Sequence, residues 1–134
     1  MYDRDNGSSA IQVEKYKPLM YNDLVDFAEQ ATKDGLFNNS IERMKLNITH
    51  YWVAYYNDKI IHVNGLQEKN DGWWIVRQAT LHQYHGLLKM KKYFGASSIA
   101  FRYTLPAMVE WSQYVNNKPI YFSTNIDNHA GRWM

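Results

Sequence analysis

His82 and His85 stand three residues apart, a spacing that can bring two imidazoles to one side of a turn and suits a metal pair. The surroundings do not complete such a site. The nearest carboxylate on the N-terminal side is Asp71, and none follows until Glu110, so no metal is expected. The chain has no cysteine, which excludes a thiol nucleophile, a thiolate metal site and a disulfide framework. Lys89, Lys91 and Lys92 suit contact with phosphate or a solvated helix face. Gly86 reads as a turn or a helix start, Asn125 and Asn128 as turn and cap residues, and Glu68 beside Lys69 as surface. His50 and His62 fall in β-rich text as ordinary sheet residues, and Trp73, Trp74 and Trp111 as core. The aromatic and basic content leaves open a surface for single-stranded nucleic acid, although no RNA-binding motif is present.

These residues need a scaffold, and the chain is long enough for one domain. It has 134 residues, of which 46% are hydrophobic and 21% charged. That composition excludes a wholly disordered, collagen-like or coiled-coil chain. A net charge of +2 is too small to imply nucleic acid or a membrane as partner. Residues 1–10 are polar and read as a flexible tail without the apolar segment of a signal peptide; residues 11–134 form the domain. No apolar run reaches the roughly 18 residues a membrane helix needs. A cytoplasmic setting follows as the expectation. Glycosylation-type triplets at Asn6, Asn38 and Asn47 read as chance matches.

Alternation over Ile11 to Lys17 predicts a strand, closed by Pro18. A helix capped by Asn22 should follow, with Leu24, Phe27, Ala28 and Ala31 on one face and Gly35 ending it. A second short helix from Ser40 would place Ile41, Met44 and Ile48 on one stripe. Tyr51–Tyr56 and Ile60–Leu66 around Asn57-Asp58-Lys59 predict a hairpin. Asn70-Asp71-Gly72 makes the next turn, and Trp73 to Leu81 a long, central third strand of an antiparallel meander. Leu87 to Phe94 fits a short helix. Thr104 then caps another helix with Pro106 in its first turn, carrying a stripe of Leu105, Met108, Val109, Ser112 and Val115 and ending at Asn116-Asn117. Pro119 to Thr124 is a strand, and Asn128 caps a last helix. The sum is a mixed α+β fold, ordered β-α-α-β-β-β-α-β-(α), with a parallel crossover from Trp73 to Thr124 and helices on both faces of the sheet.

Three local texts in this order resemble the GCN5-related N-acetyltransferase (GNAT) family. They are the hairpin Tyr51 to Ile61, the loop Gln83-Tyr84-His85-Gly86-Leu87-Leu88 as a degenerate Q/R-x-x-G-x-G/A, and Ser123 to Asn128 followed by Ala130 and Arg132. The resemblance runs from Ile11 to the end and is nearest to divergent phage and marine members. Leu88 departs from the small residue of the loop, about fifteen residues from Leu87 to Phe101 look inserted, and the family's sixth and seventh strands are not expected here.

The resemblance implies an acyl-CoA-dependent N-acetyltransferase acting on a small-molecule or peptide amine, with acetyl-CoA as co-substrate and no metal. Main-chain groups of Gln78, Ala79, Thr80, Leu81 and His82 would face the pantetheine arm. Gln83, His85, Gly86, Leu87 and Leu88 would face the pyrophosphate. Asn125 and Asn128 would lie near the cofactor, and Glu68 and His82 would be candidate bases. An N–H between Ala79 and Leu81 would support the thioester oxygen. An inactive GNAT-like binding or structural protein of phage origin, with its sheet edge covered by another copy (a homodimer) or another chain, is the alternative reading. A small-ligand or nucleic-acid binding domain is the third.

Overall fold

The computed structural model describes residues 11–36, 41–85 and 99–122. The expected 1–10 tail, the Leu87–Phe94 helix, Thr124 and the last helix lie outside them. Strand β1 (Gln12–Lys15) leads through a 3-10 turn into helix α1 (Tyr21–Lys33). A 3-10 turn at Ile41–Met44 precedes the strands β2 (His50–Tyr56), β3 (Lys59–Lys69) and β4 (Gly72–Thr80). Helix α2 (Leu105–Val115), preceded by a π-helical segment at Ala100–Thr104, leads to β5 (Ile120–Tyr121). The sheet order is β1-β2-β3-β4-β5, antiparallel throughout except for the parallel pair β4–β5. This is the expected mixed fold, with the crossover parallel.

Alternation along the strands divides the core in two. Tyr51, Val53, Val63, Ala79 and Leu81 pack against Leu24, Phe27, Ala28 and Ala31 of α1. Trp52, Leu66 and Trp73 pack against Met108 on the other face, with Trp111 beside them. The Tyr51 hydroxyl donates to the Met44 carbonyl at 2.8 Å and so ties the short 3-10 turn to the sheet. In the second cluster Lys15 Nζ stands 5.4 Å from the ring centres of both Trp52 and Trp111, and 3.2 Å from His50 Nδ1.

Local chemistry explains most boundaries. Asn57 and Asp58 form the two-residue hairpin loop with φ of 51° and 65°, the left-handed region that Asn and Asp tolerate. Helix α1 ends in a Schellman pair. Leu36 N–H donates to Ala31 O and Gly35 N–H to Thr32 O, with Gly35 at φ 78°.

Several expectations are corrected. Asn22 is not a cap, because the Pro18–Met20 turn runs straight into α1 and places the start at Tyr21. Ile48 is exposed, since the residues after Met44 turn at Lys45 rather than continuing a helix. The central, most buried strand is β3, not β4. Thr104 is inside the helical run, not at its cap. In an unbroken α-helix the Pro106 ring would meet the Arg102 carbonyl four residues back, and the widened π turn stands directly before it. The buried stripe is Thr104, Met108 and Ser112, while Val109 and Val115 are exposed.

Candidate functional site

The parallel pair β4–β5 is short. It joins Trp73 with Ile120 and Trp74 with Tyr121, and no other described residues continue it. From Ile75 to Thr80 the outer edge of β4 has no strand partner among the described residues.

What that edge presents is set by a β-bulge. The β3–β4 register passes from Gly65↔Val76 to Val63↔Ala79, so two residues, Arg77 and Gln78, stand opposite Asn64. Arg77 takes the left-handed conformation, φ 56°. The extra residue shifts the phase of the strand. Trp73 N–H points outward and donates to Pro119 O at 2.9 Å, whereas Leu81 N–H points inward and donates to Ile61 O at 3.0 Å. The same parity would put both on one side of a regular strand. Past the bulge, Ala79 and Leu81 therefore turn their main chain toward β3, and Thr80 turns its own toward the open edge. Of the expected donors between Ala79 and Leu81, Thr80 is the one so directed.

Beyond β4 the chain makes a 3-10 turn, His82–Tyr84, which carries Gln83 on its exposed side. His82 N–H donates to Asp34 Oδ2 at 3.0 Å, so the last turn of α1 fixes the start of this loop. That bond, then one from the Gln30 side chain, lowers the Asp34 pKa below its ordinary value. His85 Nε2 donates to the Thr80 carbonyl at 2.8 Å, and its ring meets that of His82 at 5.3 Å between centres. Gly86, Leu87, Leu88, Asn125 and Asn128 lie outside the described residues.

Glu68 stands elsewhere. It pairs with Trp73 at the other end of β4, roughly 23 Å from Thr80 along an extended strand. There it meets Lys118 Nζ at 3.0 Å and Asn116 Nδ2 at 3.4 Å. The fold brings Gln78 to His85 together and keeps Glu68 apart. On the α1 face, beside Leu81, Asp23, Asp26, Gln30, Asp58 and Lys59 line a hollow of about 310 Å³.

Sequence reading missed a polar cluster on the α2 face. His62 is fully buried, with Nδ1 2.7 Å from Thr80 Oγ1 and Nε2 3.0 Å from Thr104 Oγ1. Asn64 Nδ2 donates to the same Thr104 oxygen at 3.1 Å, and Asn64 Oδ1 is buried without a partner among the described residues. Burial lowers the His62 pKa to about 3, against a smaller opposing effect of the Ala79 backbone. The ring is neutral at pH 7. Its partners lie 18 and 42 residues away, so no local pattern marks them. Among the described residues no group of three or more His, Asp or Glu is placed to hold a metal ion, and no helix is long and apolar enough to cross a membrane.

No protein-family model and no curated protein matches the sequence. Solved structures match its fold. A GNAT-family acetyltransferase from Staphylococcus aureus Mu50 has a TM-score of 0.65 at 16% identity, over 92% of this chain and 80% of that one. An aminoglycoside acetyltransferase from an uncultured soil metagenomic sample, in complex with sisomicin, has 0.65 at 10% identity, over 93% and 84%. A predicted acetyltransferase from Clostridium acetobutylicum, with acetyl-CoA, has 0.55 at 14% identity, over 87% and 82%. At these identities the likeness speaks to fold, and the fold of this chain is that of the GNAT acetyltransferases.

Proposed function

We propose that the protein is an acyl-CoA-dependent N-acetyltransferase acting on an amine. The observation that carries this reading is the edge of β4: among the described residues it pairs with β5 at two positions only, and past its bulge the Thr80 main chain faces outward. A pantetheine arm offers amide groups of the kind a strand edge pairs with. Gln78 to His82 would hold that arm. Gln83, His85, Gly86, Leu87 and Leu88 would surround the pyrophosphate, with Asn125 and Asn128 near the cofactor. The solved acetyltransferase with acetyl-CoA and the one with sisomicin, an aminoglycoside, support the same assignment of co-substrate and amine class.

Acetyl-CoA would supply the thioester. The amine nitrogen attacks its carbonyl carbon, the C–S bond breaks, CoA leaves as the thiol, and the amine loses one proton. His82, just past the end of β4, would take that proton directly or through water; Glu68, paired with Lys118 at the far end of the strand, is the second candidate base. The hollow beside Leu81, where three aspartates outnumber Lys59, gives a cationic amine a favourable approach.

Calorimetry with acetyl-CoA tests the reading. Heat of binding is expected for the full chain, and Gly86→Asp should abolish it by setting charge and bulk against phosphate. A folded protein that gives no heat at millimolar acetyl-CoA rejects the assignment. The non-enzymatic alternative, favoured by a β4 edge with no strand partner among the described residues, would then show a dimer by light scattering rather than a monomer.

A further inference from the structure

We infer that Thr80 is a side-chain contact for acyl-CoA and that buried His62 is its positioning residue, fixing the Thr80 hydroxyl so that its proton is donated to a carbonyl of the acyl-CoA arm. This rests on the acetyltransferase reading and names a group in its site.

Proton placement along this buried chain decides which group donates at each link. His62 is neutral and enclosed, so one ring nitrogen donates and the other accepts. Asn64 Nδ2 can only donate, and it donates to Thr104 Oγ1. The Thr104 hydroxyl can then pass its own proton to His62 Nε2, 3.0 Å away; its other acceptor, the Ala100 carbonyl, is farther, at 3.3 Å. With Nε2 accepting, Nδ1 carries the hydrogen and donates to Thr80 Oγ1 at 2.7 Å, the shortest link in the chain. Thr80 Oγ1 is thereby an acceptor toward His62, which leaves its own hydroxyl proton to be donated to another acceptor.

Thr80 is placed to use it. It is half-buried, it is the last residue of β4, and it is the residue whose main chain the bulge turns to the open edge. The π segment sets the inner end. It holds Thr104 fully buried against two strand side chains from β3, a register that a shorter helical repeat would shift. A buried chain of this kind orients a hydroxyl without itself reaching the ligand.

The test joins a spectroscopic and a binding measurement. Nitrogen-15 NMR of the ligand-free protein at pH 7 should show His62 as the neutral Nδ1–H tautomer; the Nε2–H tautomer overturns the inference. In calorimetry, Thr80→Val should weaken acetyl-CoA binding about tenfold, as loss of one hydrogen bond does, and Thr80→Ser should restore it to within about threefold. His62→Asn keeps a donor near the Nδ1 position and should bind within about threefold of wild type, whereas His62→Gln keeps one near Nε2 and should bind about tenfold more weakly. A purely structural His62 would weaken both variants alike, and unchanged binding by folded Thr80→Val would reject the contact; either result overturns the proposal. Titration with CoA separates the carbonyls: equal weakening points to a pantetheine amide, weakening for acetyl-CoA alone to the thioester. Wild-type protein that gives no heat removes the acetyltransferase reading and this inference with it, while the tautomer is still read independently.

Discussion

At Gly72 an added Cβ would stand 2.5 Å from the Pro119 carbonyl oxygen, and the residue holds φ 151°, where side chains are strained. The same carbonyl accepts the Trp73 N–H that begins the β4–β5 pair. Gly72→Ala should cost about 2 kcal/mol or more and loosen that pair, seen as a lower urea midpoint and faster exchange of the Trp73 amide. Residues that act through their own backbone were legible in the sequence. Asn57-Asp58 turns where a hairpin demanded it, and Gly35 ends its helix in the left-handed conformation. His62 was not legible, because a histidine in strand text looks like any half-polar sheet residue. Its role comes from Thr80 and Thr104, which only the fold brings to it.

Among the elements, the turn after β4 depends on a helix far away in sequence. Asp34 at the end of α1 receives the His82 N–H across 48 residues. Asp34→Ala should leave the sheet folded but raise hydrogen exchange at His82 at least about tenfold, the loss of one hydrogen bond on a surface turn. Acetyl-CoA binding should weaken in the same variant, since the loop proposed for pyrophosphate begins there; unchanged exchange at His82 would show that the tie carries no weight. The order of elements was readable from periodicity and turn residues. Their edges were less so. Thr104 before Leu105-Pro106 has the local text of a cap, and nothing in that text distinguishes a helix start from a π turn made to accommodate proline. The central strand was misjudged for a related reason. β4 has a longer apolar run than its burial needs, while β3 hides His62 and Asn64 in its core and so looks more polar than it is.

For the whole molecule, acidification acts first through the histidines. His62 has a folded pKa of about 3, below the ordinary value of 6.5, so the unfolded chain takes up its proton first as pH falls. Its contribution is complete above pH 6.5 and declines through the window from 6.5 to 3. At pH 5 the loss from His62 alone is about 2 kcal/mol. His50, lowered by burial and then by Lys15, acts with the same sign. Urea midpoints should therefore drop between pH 7 and pH 5, and His62→Asn should reduce the drop; a midpoint equal at both pH values would contradict the burial of an unprotonated ring. The bulge at Arg77 and Gln78 has a consequence for how such a chain can change. Because it takes up one extra residue opposite Asn64, deleting Gln78 would close the joint into regular pairing, with Ala79 still facing β3 and Thr80 still facing the rim. Sequence drift before the bulge leaves the later half untouched, so the seam with β5 and the exposed rim can be altered separately, and a residue lost at the joint is absorbed there without changing which amides the rim displays.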